Sequence, residues 1–83
     1  MRLVYFAKVR EAVGIDGEDC AMPYHVLTVA DCIDWLIGEG VNYAVAFDNR
    51  ERLRFALDQQ MVSEGTALEG ASELAIFPPV TGG

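Results

Sequence analysis

Two runs, one near each end of the chain, are apolar on both faces, and they constrain the fold more than any other feature. In residues 2–9, Arg-Leu-Val-Tyr-Phe-Ala-Lys-Val, a strand would place Leu3, Tyr5, Ala7 and Val9 on one face and Val4 and Phe6 on the other. Leu74 to Phe77 is apolar throughout. A strand that buries both faces belongs in the middle of a sheet. The first and last strands are therefore expected side by side at the sheet centre, parallel, with one helix packed across them.

That helix is the clearest local signal. Thr28 is a good N-cap and Asp31 falls at the third helical position, completing a variant capping box. Leu27 and Cys32 are spaced for a hydrophobic staple across the cap. At helical spacing Val29, Ala30, Cys32, Ile33, Leu36 and Ile37 share one arc, with Asp31 and Asp34 opposite and Trp35 at the flank. Gly38 and Gly40 end the helix, giving a span of 29–38.

The other segments read less sharply. Arg10 to Gly14 suits one helical turn, Asp16-Gly17 a turn, and 19–23 a second strand. Residues 43–47, Tyr-Ala-Val-Ala-Phe, read as a strand, then Asp48-Asn49-Arg50 as a turn. Arg52 to Leu57 alternates Arg52, Arg54 and Ala56 against Leu53, Phe55 and Leu57, as in a half-exposed strand. A tight turn at Asp58-Gln59-Gln60, a short strand at Met61-Val62 and a loop over 63–72 with a turn at Leu68 precede the last strand. The order predicts an α+β fold, a ubiquitin-like β-grasp with a mixed sheet and one main helix across it. A ferredoxin-like split motif is the alternative, but it needs a second long helix. Residues 1–77 would form the domain and 78–83 an extended tail.

Composition narrows the chemistry. The 83 residues are 52% hydrophobic and carry a formal net charge of −7. Such a chain repels phosphate backbones and favours a basic protein partner, or else is acidic for solubility alone. No apolar stretch is long enough for a signal peptide or a membrane span. Cys20 and Cys32 lack CxxC spacing, and His25 is the one histidine, so a structural metal and a catalytic triad are both unexpected. Reduced thiols and a cytoplasmic location follow. No glycine-rich nucleotide loop is present. Arg50, Arg52 and Arg54 form the one basic cluster, read either as a solvated strand face or as a contact for an acidic patch.

What remains is the ending, Phe77-Pro78-Pro79-Val80-Thr81-Gly82-Gly83. Pro78 and Pro79 cannot continue a ladder and favour an extended exit from the strand. Gly82 and Gly83 remove side-chain bulk before a carboxylate, which suits threading into another protein's active site. At average glycine usage a double-glycine ending arises by chance about once in 200 chains. Once a carboxylate is activated as an acyl adenylate, a sulfur nucleophile can displace AMP, leaving a thiocarboxylate on a thin arm. Such a carrier needs no general base or metal of its own.

With these residues in view, the sequence resembles the small-subunit family of molybdopterin synthase, ubiquitin-like sulfur carriers often called MoaD. The ending carries the resemblance most strongly. Val4-Tyr5-Phe6-Ala7-Lys8-Val9-Arg10-Glu11, with Val13-Gly14 behind it, matches the family's opening. Leu57 to Ser63 and Glu73 to Ile76 match more weakly. Two places depart from the pattern: Gly70-Ala71-Ser72-Glu73 replaces an acidic turn, and Asp58 stands where the family often has Asn.

The resemblance implies that Gly83 is adenylated by a ubiquitin-activating-like adenylyltransferase, at the cost of ATP, and receives sulfur from a donor protein. It implies insertion of Phe77, Pro78, Pro79, Val80, Thr81 and Gly82 into a large synthase subunit, with sulfur passed to cyclic pyranopterin monophosphate. It further implies a heterotetramer, with a central dimer of large subunits, and no permanently bound cofactor. Rival readings are a carrier for another sulfur acceptor, a protein-conjugating modifier, or an interaction domain with an accidental ending.

Overall fold

The computed structural model describes residues 1–79; Val80, Thr81, Gly82 and Gly83 lie outside the described residues. The elements run β1 (Arg2–Tyr5), α1 (Ala7–Val13), β2 (Gly17–Asp19), α2 (Val29–Glu39), α3 (Val41–Ala46), a 3₁₀ turn (Arg50–Arg52), β3 (Arg54–Leu57), β4 (Gln60–Val62) and β5 (Glu73–Phe77). The sheet order is β2-β1-β5-β3-β4. β1 and β5 are adjacent and parallel, with Leu3 opposite Leu74 and Tyr5 opposite Ile76. β3 pairs antiparallel with β5, setting Phe55 opposite Ile76 and Leu57 opposite Leu74. Two cross-strand rows, Tyr5–Ile76–Phe55 and Leu3–Leu74–Leu57, thus form the buried sheet face. They share one core with Val29, Cys32, Ile33 and Leu36 of α2. Fully burying a side chain such as Ile76 stabilises by about 1.5–3 kcal/mol.

The helix cap forms as expected. Thr28 Oγ1 accepts from Asp31 N and the Asp31 carboxylate accepts from Thr28 N, at 3.1 and 3.2 Å. Two further helix-start donors, Val29 N and Ala30 N, reach the carbonyls of Thr66 and Glu64 in the 63–72 loop. The staple does not bury as expected. Leu27 is 64% exposed, while Cys32 Sγ sits 3.9 Å from Met22 Sδ.

Four elements differ from the sequence reading. β1 stops at Tyr5, and Ala7 (φ 52) turns the chain into α1. The cause is a second periodicity hidden in the alternation: Val9 and Val13 lie four apart and are both buried on one helix face. The second strand is 17–19, not 19–23, because Asp16-Gly17 enters the ladder rather than turning. There Gly17 lies so close to Leu3 O that an added Cβ would stand 2.9 Å from it.

The largest difference is α3, where a strand was expected over 43–47. Tyr43 and Phe47 are four apart, and their rings stack with centroids 6.3 Å apart, burying Phe47. Finally, β3 begins at Arg54, with Arg52 in the 3₁₀ turn and Ala56 buried rather than exposed.

Candidate functional site

The central strand β5 delivers Phe77, Pro78 and Pro79 to one end of the sheet. Its entry is pinned by a side chain. Asp58 Oδ1 accepts from Ser72 N and Glu73 N, each at 2.9 Å. Asp58 and Gln59 have φ of 47° and 71° between the paired residues Leu57 and Gln60. That is a two-residue hairpin with both central residues left-handed, a conformation Asp tolerates better than most residues. The departure at Asp58 therefore keeps the turn and supplies its cap.

At the exit of β5, the Phe77 ring meets Phe6 edge to face, with centroids 6.3 Å apart. Phe6 N donates to Ile76 O at 3.3 Å, and Phe6 is 48% exposed. Pro78 and Pro79 border an open groove of about 930 Å³ between α1, α3 and residues 48–53. Val9 and Leu53 are buried at its base, Ala12 and Ala46 are half-buried, and Lys8, Val45, Asp48 and Arg52 are exposed around it.

The groove walls are tied together. Asn42 Nδ2 donates to Val13 O at 2.9 Å, joining α3 to the end of α1. The hydroxyls of Tyr5 and Tyr43 both donate to Glu18 Oε2 at 2.7 Å, fixing α3 against β1 and β2.

Tyr5, Tyr43 and the two cysteines are held in their protonated forms at neutral pH. Burial and the Glu18 bond push Tyr43 up to about 12 and raise Tyr5 as well. Burial pushes the Cys32 thiol up to about 12, and burial together with Glu18 raises Cys20. Both cysteines are free thiols. Among the described residues there is no cluster of three or more potential metal ligands, and no helix is long and apolar enough to cross a membrane.

The basic cluster divides. Arg50 is structural: it reaches Glu64 through Nε and Nη2, Asp34 through Nη1, and the carbonyl of Ala30. Burial opposes its charge, but the bonds to Asp34 and Glu64 prevail and raise its pKa. Arg52 lines the groove. Arg54 stands opposite Phe77 in the β3–β5 register, its guanidinium on the carbonyls of Glu51 and Leu53.

Of the expected site residues, Phe77, Pro78 and Pro79 are thus brought together, while Val80, Thr81, Gly82 and Gly83 fall outside the described residues. The sequence reading missed Phe6 as a residue of the candidate site, together with the groove walls Val9, Ala12, Val45 and Ala46, because it ran the first strand through Val9, left only one helical turn over 10–14 and took 43–47 for a strand. Phe6, in the family-like opening, was the available signal.

Fold and site define a class: a ubiquitin-like β-grasp domain whose central strand leaves through a Pro-Pro step beside an open groove. The model of the ThiS family matches residues 3–83. The chain belongs to the ThiS family, and the likeness of its two ends to the MoaD sulfur carriers is a family relationship. The "Molybdopterin synthase sulfur carrier subunit" of Escherichia coli (strain K12) is 34% identical over 83 residues, covering 100% of this chain and 99% of that protein. The protein of the same name from Anopheles gambiae is 30% identical over 87 residues, covering 100% and 91%. Among solved structures, SAMP1 from Haloferax volcanii superposes with a TM-score of 0.72 at 26% identity, covering 100% of this chain and 98% of that one.

Proposed function

We propose that this chain is the sulfur carrier subunit of a molybdopterin synthase. The observation that carries the reading is full-length similarity, at 34% identity, to a protein named for that role, on a family match reaching Gly83. The geometry supports it. The central strand β5 hands the chain to Pro78 and Pro79 at one end of the sheet, and in this reading the chemistry rests on the Gly83 carboxylate. Residues 1–77 act as the docking body and 78–83 as the arm. Fully extended, residues 80–83 reach at most about 14 Å beyond Pro79, enough to enter a partner's site.

In this account a Gly83 carboxylate oxygen attacks the α-phosphorus of ATP on a ubiquitin-activating-like adenylyltransferase, and pyrophosphate leaves. A sulfide-level nucleophile from a donor protein attacks the acyl carbon, and AMP leaves. The resulting thiocarboxylate enters the large synthase subunit, guided by Phe77, Pro78, Pro79, Val80, Thr81 and Gly82. Its sulfur passes to cyclic pyranopterin monophosphate, and water replaces it on the acyl carbon to restore the Gly83 carboxylate, in a cytoplasmic heterotetramer. Holding the arm in a partner's site raises the local concentration of sulfur there.

The test is reconstitution with a large subunit, the activating enzyme, ATP and a sulfur source. Molybdopterin should form with the whole chain and not with one lacking Gly82 and Gly83. Modification of Gly83 without molybdopterin would assign another sulfur acceptor. Transfer to protein lysines would assign a modifier.

A further inference from the structure

The cations of this chain are unevenly engaged. Arg2 pairs with Asp19 at 3.9 Å, and Arg50 pairs with Asp34 and Glu64. Among the described residues Lys8 and Arg52 have no carboxylate within ion-pair distance, although acidic residues outnumber basic ones by 13 to 6. Both are exposed and both line the groove beside Pro78 and Pro79. Arg54, likewise outside any ion pair there, stands next to Phe77 across the sheet. Among the described residues Asp48 is the one carboxylate lining the same groove. In a chain of net charge −7, the end from which β5 departs is therefore locally cationic around an apolar base, with Val45 59% exposed.

We propose that this groove receives an acidic segment of a partner protein, with Lys8 and Arg52 pairing its carboxylates and Val45 and Ala46 seating an apolar anchor. The inference rests on the carrier reading only in taking the partner to be one that also accepts the arm. Charge complementarity selects this occupant. A basic segment would meet two cations here, and an acidic one would be repelled over the rest of the surface, so the match also fixes orientation. The helices that form the groove are locked by Asn42 and by the Glu18 tyrosine pair, so the walls are formed before a partner arrives.

The test is a titration of the isotopically labelled whole chain, followed by amide NMR, with a short synthetic peptide alternating Leu and Glu. A control peptide carries Gln for Glu. The acidic peptide should shift the amides of Val9, Ala12, Val45 and Leu53 and leave β2 and β4 unmoved. The double variant K8E/R52E changes only exposed side chains, so its spectrum should report an intact fold. It should bind about tenfold more weakly, the size expected when two exposed cations are reversed.

Equal binding of the Gln peptide, unchanged affinity in the double variant, or shifts confined to other surfaces would overturn the proposal. So would movement of the groove amides on deleting residues 80–83 with no peptide bound, which would assign the groove to the chain's own end. The titration uses neither ATP nor the Gly83 carboxylate, so its failure leaves the carrier reading standing, and a failed reconstitution leaves this result standing.

Discussion

Replacing Asp58 separates the two things that residue does. Its carboxylate holds the backbone of Ser72 and Glu73 at the start of β5, and its backbone sits at φ 47. Two charge-assisted hydrogen bonds at an exposed site contribute about 1–2 kcal/mol together, after discounting for water. The left-handed backbone costs an alanine a further ~1 kcal/mol relative to residues that tolerate it. Asp58→Ala should therefore destabilise by about 2–3 kcal/mol, a fall in Tm of roughly 10 °C or more for a domain of this size. Asp58→Gly loses the hydrogen bonds but accepts the backbone, so it should be less damaging by about 0.5–1 kcal/mol. Asp58→Asn keeps an acceptor oxygen and tolerates the conformation, and should stay within about 0.5 kcal/mol of the parent. Urea unfolding followed by Trp35 fluorescence gives all three values. An alanine variant as stable as the parent, or an asparagine variant as damaged as the alanine one, would refute this account of the turn.

Two further outcomes follow from the ionisable groups. The backbone N–H of Leu27, with that of Thr28, holds the Asp31 carboxyl below its ordinary value of 3.8. Its folded-state pKa is depressed, so its stabilisation is present above that ordinary value and lost as pH falls through the folded one. Asp31→Asn should thus be less stable than the parent at neutral pH, with the gap closing below pH 3.8; a gap independent of pH would contradict the assignment. Burial raises both thiols, Cys32 to about 12. Iodoacetamide at neutral pH should label the half-buried Cys20 slowly and Cys32 only on unfolding, and rapid labelling of Cys32 in the native chain would disprove its burial.

The parts of the fold legible in the sequence were those that a single physical demand determined. Leu3 and Tyr5, like Leu74 and Ile76, need burial on a sheet whose other face carries Val4 and Ala75, and the centre of the sheet meets that need. Thr28 and Asp31 are three apart and cap one helix. The illegible parts satisfied two periodicities at once. Tyr43-Ala44-Val45-Ala46-Phe47 alternates like a strand, yet its two aromatics are also four apart. The helical reading prevails because it buries Phe47 and lets Asn42 cap Val13. Val9 and Val13 make the same ambiguity at α1, where the ladder ends with Tyr5 opposite Ile76.

The site divides in the same way. The exit of the last strand at Phe77-Pro78-Pro79 was legible because proline cannot continue a ladder. The groove was hidden because one wall, α3, was read as a strand and the other, α1, was divided between a strand end and a single helical turn. The basic cluster looked uniform in sequence. Only tertiary contacts separate Arg50, which bridges α2 and the 63–72 loop, from Arg52 at the groove.

In the proposed function, sulfur travels on the Gly83 carboxylate. The most direct test is the intact mass of the whole chain after incubation with an activating enzyme, ATP and a sulfur source. The expected result is a gain equal to the difference between a sulfur and an oxygen atom, mapped by peptide digestion to the last fragment. That mapping separates it from simple oxidation, which adds nearly the same mass at Met or Cys. A chain lacking Gly83 should show no gain while keeping its fold, since the core lies within residues 3–76. An unchanged mass in the whole chain, under conditions where a known sulfur carrier is converted, would contradict the account. So would a gain that survives removal of Gly83.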